Sequence, residues 1–533
     1  MTNPSAANDT ASRPVLYVLA AVAIAYGVSA LWGLPQRGTE MTRAVSDHVT
    51  GNGANHHLDD KTHADDSVTE HGAVGPLIPP SFVMMLPFAL LLAAIAVFPL
   101  MHITEHWWES NLHRFYVAAG LGAVTLGYYA LIHAHPVDRH FLGHAVIAPA
   151  TSGVSWGVAA TIFSNAIFNE FVPFIVLLFS LYTISGGIRI EGDLQARPLT
   201  NSIFIGSGAV LANLIGTTGA AMVLIRPLLE TNSERRHVRH TVIFFIFAVC
   251  NCSGCLLPIG DPPLFLGYLE GVDFLWTLSL WPQWLLVNGA LLVIYYAWDH
   301  FLCYPHEKSA DIILDKVRLR RLQFRGIWPN AMLLAGVVVA VALLDPSNPL
   351  LGTSWHPWLY LREMVQLALV ALSLLLGQQT IRRANNFNYG AIVEVAALFF
   401  GIFLCMQPAL QILEVKGGEL GIDLPWEFFW STGALSAVLD NAPTYLVFFK
   451  AAQSLHAGAG ETVAGVNAEV LAAISLGAVF MGAMTYIGNG PNFMVKAIAE
   501  KSGVKMPSFF GYMAYSFCIL LPLFVLVTCV FFR

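Results

Sequence analysis

Two stretches of this sequence carry the same helix-breaking pattern. Residues 254–265 read Gly-Cys-Leu-Leu-Pro-Ile-Gly-Asp-Pro-Pro-Leu-Phe, and residues 482–493 read Gly-Ala-Met-Thr-Tyr-Ile-Gly-Asn-Gly-Pro-Asn-Phe. At a constant offset of 228 positions the two copies share two glycines, one isoleucine, one proline and one phenylalanine, and Asp261 falls on Asn489. Glycine and proline both interrupt helices. The pattern therefore predicts two equivalent breaks in a helical chain.

The composition around these breaks is that of a membrane protein. Of 533 residues, 56% are hydrophobic and 11% are charged, against about 25% charged in soluble domains. Several apolar runs reach the roughly 20 residues that cross a bilayer. We therefore predict an all-α polytopic membrane protein. The net charge of −7, without a basic block, argues against a nucleic-acid partner. The seven cysteines lie mostly in apolar segments and imply no disulfide framework.

The order of apolar and charged segments predicts two transport halves. We read residues 142–164, 168–187, 201–229, 240–259 and 428–451, among other apolar runs, as membrane helices or broken helices. A basic segment between two apolar blocks is typical of a cytoplasmic linker. The predicted organisation is an N-terminal span or signal anchor (1–35), a polar His/Asp-rich loop (36–80), half one (81–302), the linker (303–326) and half two (327–533).

Two further markers recur in the same order in both halves. Glu170 matches Glu394 at an offset of 224, and Asn213 matches Asp440 at an offset of 227. The repeat markers thus span 170–265 in half one and 394–493 in half two. Duplicated breaks in corresponding positions of two halves indicate the binding site of a secondary transporter.

The breaks supply the candidate ligands. In lipid, a freed backbone group needs a partner or a wet cavity, and unwound carbonyls there coordinate cations. The alternative is a packing kink filled by small residues. The polar side chains at the breaks, which suit a small hard cation such as sodium or an oxygen-rich substrate, are Asn213, Thr217, Thr218, Asp261, Asp440, Asn441, Thr444, Asn489 and Asn492.

Charged groups inside the membrane mark ion pathways by default. Asp440 is our first candidate for a carboxylate that alternately binds a proton and a cation, and Asp261 is the second. Asp261 has an alternative role as the cap of a half-helix. Glu170 and Glu394 are supporting charges, as proton sites or as scaffold braces. Arg226 pairs with one of these carboxylates, binds an anion or extends to the interface.

Metal chemistry is a weaker alternative. Cys250, Cys252 and Cys255 form a C-x-C-x-x-C run, which we read as small residues of a tight hairpin. A second group of histidines near a helix end reads as an interfacial loop, with a proton relay or metal site as its alternative: His133, His135, His140 and His144. The polar loop is read as acidic and disordered, with metal binding as the alternative, because it carries five histidines: His48, His56, His57, His63 and His71.

From about residue 80 to its C-terminus the chain resembles the ion transporter superfamily, and within it the bacterial NhaD-like sodium:proton antiporters and citrate transporter-like (CitMHS-like) proteins. The resemblance rests on the segments 212–219 (Ala-Asn-Leu-Ile-Gly-Thr-Thr-Gly), 224–227 (Leu-Ile-Arg-Pro), 260–268 (Gly-Asp-Pro-Pro-Leu-Phe-Leu-Gly-Tyr), 394–396 (Glu-Val-Ala), 440–444 (Asp-Asn-Ala-Pro-Thr) and 488–492 (Gly-Asn-Gly-Pro-Asn).

The resemblance implies two inverted repeats, each with a re-entrant hairpin and a broken helix, and a homodimer. It implies that ions and substrate meet at the hairpin tips and helix breaks. Carboxylate carriers of this superfamily show Ser-Asn-Thr signatures at their breaks, whereas this chain has Asn-Leu-Ile-Gly-Thr-Thr and Asp-Asn-Ala-Pro-Thr. That departure favours cation/proton exchange.

We therefore expect a Na⁺/H⁺ antiporter, with sodium at the residues of the breaks. The alternative is a cation-coupled citrate or dicarboxylate transporter, and a remote one is a membrane metalloenzyme, for which no nucleophile–base pattern is visible. We expect no enzymatic activity and no cofactor beyond Na⁺ and H⁺ as transported or coupling ions. The expected partners are the lipid bilayer and small inorganic ions or small carboxylates, and the expected location is a bacterial inner membrane.

Overall fold

A computed structural model describes residues 4–41, 78–141, 145–350, 352–455 and 461–532. The described chain is predominantly helical, as predicted, and has three short two-stranded antiparallel sheets in place of any larger sheet. Most of the polar loop, with all five of its histidines, and His144 fall outside the described residues.

The helices of the N-terminal segment, half one and the linker, numbered along the chain, are α1 (Pro4–Leu31), α2 (Leu86–Val97), α3 (Glu105–Trp108), α4 (Asn111–Leu131), α5 (Trp156–Ser164), α6 (Val172–Ser185), α7 (Pro198–Thr231), α8 (Arg239–Phe247), α9 (Pro262–Leu269), α10 (Trp281–Ala297) and α11 (Ser309–Val317). The strands are β1 (Val137–Arg139), β2 (Ala145–Ile147), β3 (Arg189–Asp193), β4 (Arg320–Arg325), β5 (Thr462–Val463) and β6 (Val466–Asn467).

The helices of half two are α12 (Ile327–Leu343), α13 (Leu361–Leu376), α14 (Gln379–Ala384), α15 (Gly390–Cys405), α16 (Gln407–Lys416), α17 (Pro425–Ser436), α18 (Asn441–Ser454), α19 (Ala468–Met481), α20 (Gly490–Lys501) and α21 (Phe509–Phe531). Short π or 3₁₀ turns extend several of them, including the π segments Asn165–Phe171 and Ala248–Cys252 and the 3₁₀ turn Gly482–Met484.

Full-length spans are fewer than the apolar runs. Within the described ranges, five helices are long and apolar enough to cross a membrane, and a sixth results if α15 and α16, which meet at a 43° bend, count as one span. The predicted helix at 142–164 is wrong in its first part, because β2 pairs with β1 there and the helix begins at Trp156. Pro149 and Gly153 precede that start and resist helix formation. From Trp156 the helix continues through the π segment to Ser185.

In each half, the helix that follows the hairpin packs on a helix of the other half. The helix after the first hairpin, α9, packs on α18 of half two, and the helix after the second hairpin, α20, packs on α7 of half one. The turns Ala248–Cys252 and Gly482–Met484 also touch each other. One continuous buried core therefore includes residues of both halves, such as Phe247 and Phe480.

The linker is tied to half one by a sheet. Strand β4, from the basic linker, pairs antiparallel with β3, which follows α6, with a register shift between Glu191 and Asp193. Gly192 has a φ of +143°, and a Cβ there would meet the backbone of Leu322 at 2.7 Å. The close approach of the two strands thus requires glycine at this position.

Candidate functional site

Asp261 lies at the centre of a group of polar side chains from both halves, which we call the crossing. The crossing consists of Asp261, its partners Thr217, Asn441 and Asn489, and the nearby Asp440. Asp261 is buried and takes the N-cap position of α9, but its side chain makes no capping hydrogen bond. Its Oδ1 accepts hydrogen bonds from Thr217 Oγ1 at 2.8 Å and Asn489 Nδ2 at 3.4 Å, and its Oδ2 accepts from Asn441 Nδ2 at 2.6 Å. Asp261 thus occupies the cap position of the half-helix, as the alternative predicted, but its side chain does not cap it. Its carboxylate instead joins two broken helices and the other hairpin.

The first break is made by one glycine and closed by the hairpin. Gly216 interrupts α7 with a φ of 76° and a ψ of 154°, a conformation open essentially to glycine alone. The Thr217 amide then donates to Gly260 O at 2.9 Å, and Asn213 Oδ1 accepts from the Leu256 amide at 2.9 Å. The Thr217 amide beside the break thus has a partner on the hairpin, and a hairpin amide has a partner on α7, as membrane burial requires.

The second break lies between α17 and α18. Asp440 begins α18 and accepts from the Ala442 amide at 3.1 Å, so this acid is the one that caps a half-helix. Thr444 donates to the carbonyl of Asp440 at 2.9 Å. Asp440 lies close enough to Asp261 for their charges to interact. The two carboxylates thus share a neighbourhood but differ in their hydrogen-bond partners. That Asp440 is the first candidate for proton and cation binding, and Asp261 the second, stays a prediction.

The repeated glycines allow the same close backbone approach in both hairpins. A Cβ on Gly260 would meet Gly254 O at 2.6 Å, and a Cβ on Gly488 would meet Gly482 O at 2.7 Å. The residue after each pair is extended, with φ and ψ of −144° and 144° at Asp261 and of −155° and 137° at Asn489. The equivalence predicted from the 228-residue offset therefore extends to the backbone of the two hairpins.

Asn492 clamps the second hairpin. It is buried, and its Nδ2 donates to the carbonyls of Gly482 and Thr485, each at 2.9 Å. Its Oδ1 accepts from Asn251 Nδ2 at 2.7 Å. Asn251 was missed by sequence reasoning, since the equivalent position in half two is Val479 and only its polarity in an apolar run could have drawn notice. Within the described part of the chain, the buried Asn251 Oδ1 has no hydrogen-bond partner.

A small cavity adjoins the first break. Its volume is about 90 Å³, and Gly216, Thr217, Thr218 and Gly260 line it together with apolar side chains of α6 and α15. Pockets for drug-sized organic ligands run from about 300 to 1,000 Å³. This cavity therefore has room for an ion with a few waters.

A second group of charged side chains lies away from the crossing, toward the C-terminal ends of α9 and α18. Lys450 Nζ contacts Glu270 Oε2 at 2.6 Å, with both side chains largely buried. Glu170, in the π segment, accepts from Gln407 Nε2 at 3.1 Å, and its Oε2 is buried without a partner in the described residues. At 1.5 Å per residue, the eight residues of α9 put this group about 12 Å from the crossing. Lys450, Glu270 and Gln407 were not singled out from the sequence.

Glu394 and Arg226 have other surroundings. Glu394, the sequence match of Glu170, pairs with Arg114 at 2.7 Å, so the two glutamates do not share a type of partner. Arg226 donates to the backbone oxygen of Ala384 at 3.4 Å. It makes no ion pair with Glu170 or Glu394 among the described contacts, and it lines a large basic cavity.

That basic cavity has a volume of about 1110 Å³ and lies between the end of α7, the start of α8 and the end of α20. Glu230 is the one carboxylate among its described lining residues, whose other polar members include Asn232, Asn386 and Asn388. Its cationic lining consists of Arg189, Arg226, Arg235, Arg236, Arg239, Lys501 and Lys505. Such a surface attracts anions. The sequence showed the clustered arginines at 235–239 but not the cavity.

The remaining candidates have structural surroundings. Cys250, Cys252 and Cys255 are buried free thiols in the first hairpin, as the packing interpretation predicted. The rings of His133 and His135 meet edge to face after α4, in a loop. Burial lowers the pKa of His133 to about 4, and His135 adds to this effect.

Comparison with known proteins supplies one match. The family model described as "Putative citrate transport" matches residues 79–532, which is most of the chain and includes every element of the crossing. A search of curated proteins finds no match.

Proposed function

The chain belongs to this citrate transporter-like family of the ion transporter superfamily, a family of membrane transporters. From that premise we propose that it is a secondary active transporter that exchanges sodium for protons at the crossing of its two broken helices. The observation that carries the proposal is the buried Asp261 carboxylate, held by Thr217, Asn441 and Asn489 from three different elements.

The polar groups of the crossing suit a small cation. Asp261 and Asp440 place two acids in one neighbourhood, and Asn251 adds a buried acceptor oxygen without a partner in the described chain. The adjoining cavity of about 90 Å³ has room for an ion with a few waters. A charged group at such depth is expensive and is typically retained for transport.

The asparagine amides of the crossing can take two orientations, one that donates hydrogen bonds to Asp261 and one that presents oxygen to a cation. Asn441 and Asn489 donate hydrogen bonds from their NH₂ groups to Asp261, which gives the carboxylate partners without a cation. An amide that turns by about 180° presents its oxygen instead, because each amide carries both donors and acceptors. A sodium ion bound to Asp261 would be coordinated by these oxygens, and its departure would restore the donors or admit a proton.

The test uses inside-out membrane vesicles that hold a pH gradient. Added sodium or lithium should collapse the gradient, and Asp261→Asn and Asp440→Asn should each abolish this response. Asp273→Asn is the matched control, because Asp273 is exposed and lies after α9, outside the crossing. No sodium or lithium response at any pH tested would contradict the proposal, as would an unchanged response in Asp261→Asn.

The second candidate is cation-coupled uptake of citrate or another carboxylate. Two observations favour it: the description of the family and the basic cavity of about 1110 Å³ with its seven Lys and Arg side chains. Here the crossing would bind the coupling cation and the basic cavity would collect the anion. Sodium-dependent accumulation of labelled citrate, without sodium-driven proton release, would select this candidate over antiport.

We also propose an inverted arrangement of the two repeats, a homodimer and a bacterial inner-membrane location. The reciprocal packing of α9 on α18 and of α20 on α7 supports the related halves. The basic residues at 235–239 and in the linker support a cytoplasmic position for that face. Accessibility labelling of single cysteines at 236 and 321 from each side of the membrane would test the orientation.

A further inference from the structure

Three carboxylates meet where the linker joins half one. Asp193 ends β3, Glu234 follows α7, and Asp315 lies in α11 of the linker. One carboxylate oxygen from each lies within 4.8 Å of the others. These residues are outside the membrane-spanning helices and outside the crossing.

Their charges are unequally compensated. Asp315 accepts hydrogen bonds from the Ala196 amide at 3.2 and 3.3 Å, and Glu234 lies 3.4 Å from Arg318. Asp193 is 4% exposed, and its Oδ1 has no hydrogen-bond partner within the described chain. A buried carboxylate without a partner, beside two others, is costly unless a cation or a proton joins them.

The electrostatics of Asp193 agree with this geometry. Burial raises the pKa of Asp193 to about 6, and the carboxylates of Glu234 and Asp315 add to the rise. Arg320 acts on Asp193 in the opposite direction, but makes no ion pair with it among the described contacts. Negative charge at this point therefore exceeds what the nearby arginines neutralise.

A neighbouring trio shows the contrast. His240, Asp299 and Cys303 are also close enough to hold an ion. There Asp299 is hydrogen-bonded by the Arg235 guanidinium and lies 3.1 Å from His240 Nε2, so its charge is already compensated. Among the described residues, the acidic trio has no such partner for Asp193.

We propose that Asp193, Glu234 and Asp315 bind a hard divalent cation of the calcium and magnesium class. Carboxylate oxygens are the ligands these ions take, and calcium accepts them in mono- or bidentate modes over a flexible geometry. The ion would join the linker to the loop after α7, which also lines the basic cavity through Ser233 and Arg235. This proposal is independent of which ion the crossing transports.

The test is calcium binding to the full chain in detergent, after removal of metal with a chelator. Equilibrium dialysis with calcium alone should show about one ion per chain. Binding should be lost in Asp193→Asn and in Glu234→Gln, so that a folding failure of one variant leaves the other as the test. Asp311→Asn is the control, because Asp311 lies in the same helix but pairs with Arg236. It should bind calcium like the parent chain.

Thermal unfolding gives the second measurement. Calcium or magnesium should raise the melting temperature of the parent chain by about 2 to 4 °C at saturation, since an ion that binds only the folded state stabilises it. The rise should be absent in Asp193→Asn, whereas any rise caused by sodium at the crossing should be the same in Asp193→Asn and in the parent chain. Absence of divalent binding to the parent chain would overturn the proposal. So would an Asp193→Asn chain that is more stable on its own and gives the same calcium response as the parent, since a proton would then explain the cluster.

Discussion

The crossing around Asp261 and the basic cavity differ in size, in burial and in the sign of their charge. The crossing is buried, adjoins a cavity of about 90 Å³ and surrounds one carboxylate with hydrogen bonds from a hydroxyl and two amides. The basic cavity is about 1110 Å³ and gathers seven Lys and Arg side chains against Glu230 in the described chain. One helix, α7, serves both regions: Thr217 faces the crossing, and Arg226, nine residues later, faces the cavity about 14 Å away.

The difference follows from access to water. A charge buried away from water must be satisfied by fixed dipoles or by an ion, which explains the ring of donors around Asp261. In the large polar cavity solvent screens the exposed cationic groups. Three of its arginines also have acidic partners: Arg189 pairs with Glu191, Arg235 with Asp299 and Arg236 with Asp311. The molecule thus has a dry region that suits a cation and a wet region that suits an anion.

The largest expected effect comes from replacing Asp261, and exchanging it with the equivalent Asn489 should reverse part of that effect. Asp261→Asn should lower sodium-dependent transport by about 100-fold or more, because the only direct carboxylate of the hydrogen-bonded group is lost. The double variant Asp261→Asn with Asn489→Asp should recover part of it, since Asn489 contacts Asp261 directly at 3.4 Å. Sodium-induced collapse of the pH gradient measures both. Equal losses in the single and double variants would show that the position of the acid, and not its presence, is what matters.

Lys450→Met should give the next largest effect, on stability. It leaves the largely buried Glu270 without its partner at 2.6 Å. We expect a loss of about 2 to 3 kcal/mol, less than the roughly 3 to 5 kcal/mol of a fully buried pair because about a fifth of each side chain is exposed. Unfolding of the detergent-solubilised chain measures it. The double variant with Glu270→Gln should recover most of the loss, and no recovery would place the role of Lys450 in packing.

A smaller effect is expected in the basic cavity. Under the second candidate function, carboxylate uptake, Arg226→Gln and Arg239→Gln should each raise the KM for the carboxylate about tenfold, which corresponds to the loss of about 1.4 kcal/mol of anion attraction. The sodium dependence of transport should stay unchanged, because neither residue touches the crossing. Arg321→Gln, in the exposed linker strand, is the control. An altered sodium dependence in Arg226→Gln would show that the two regions act as one site.

The smallest effect is expected at Glu394. Its partner Arg114 lies at 2.7 Å, but 42% of the Glu394 side chain is exposed. Solvent screening should limit the cost of Glu394→Gln to less than about 1 kcal/mol, with transport within about twofold of the parent chain. Stability and sodium response are both measured. A loss comparable to that of Asp261→Asn would make Glu394 part of the ion path.

Much of the crossing was predictable, because each of its breaks is marked by residues that are neighbours in the sequence. The two hairpins, the break at Gly216 and the break before Asn441 all follow from glycine, proline and polar residues in apolar runs. The predicted helix at 142–164 failed in part, because apolar composition alone does not distinguish the β2 strand from a helix. The sequence also did not show which acid has the capping side chain and which one cross-links the breaks, since both arrangements are compatible with the same local sequence.

By itself, the sequence determined the membrane class, the duplicated breaks and the polar residues at them, because composition, backbone restriction and repetition are properties of the chain. Only the tertiary structure decided that Asp261 contacts Asn489, its own equivalent 228 positions away, and that Asp440 caps a helix beside it. It alone assembled the basic cavity and the trio of Asp193, Glu234 and Asp315. The physical reason is that these sites join segments far apart in the chain, whose positions are set by how whole helices pack.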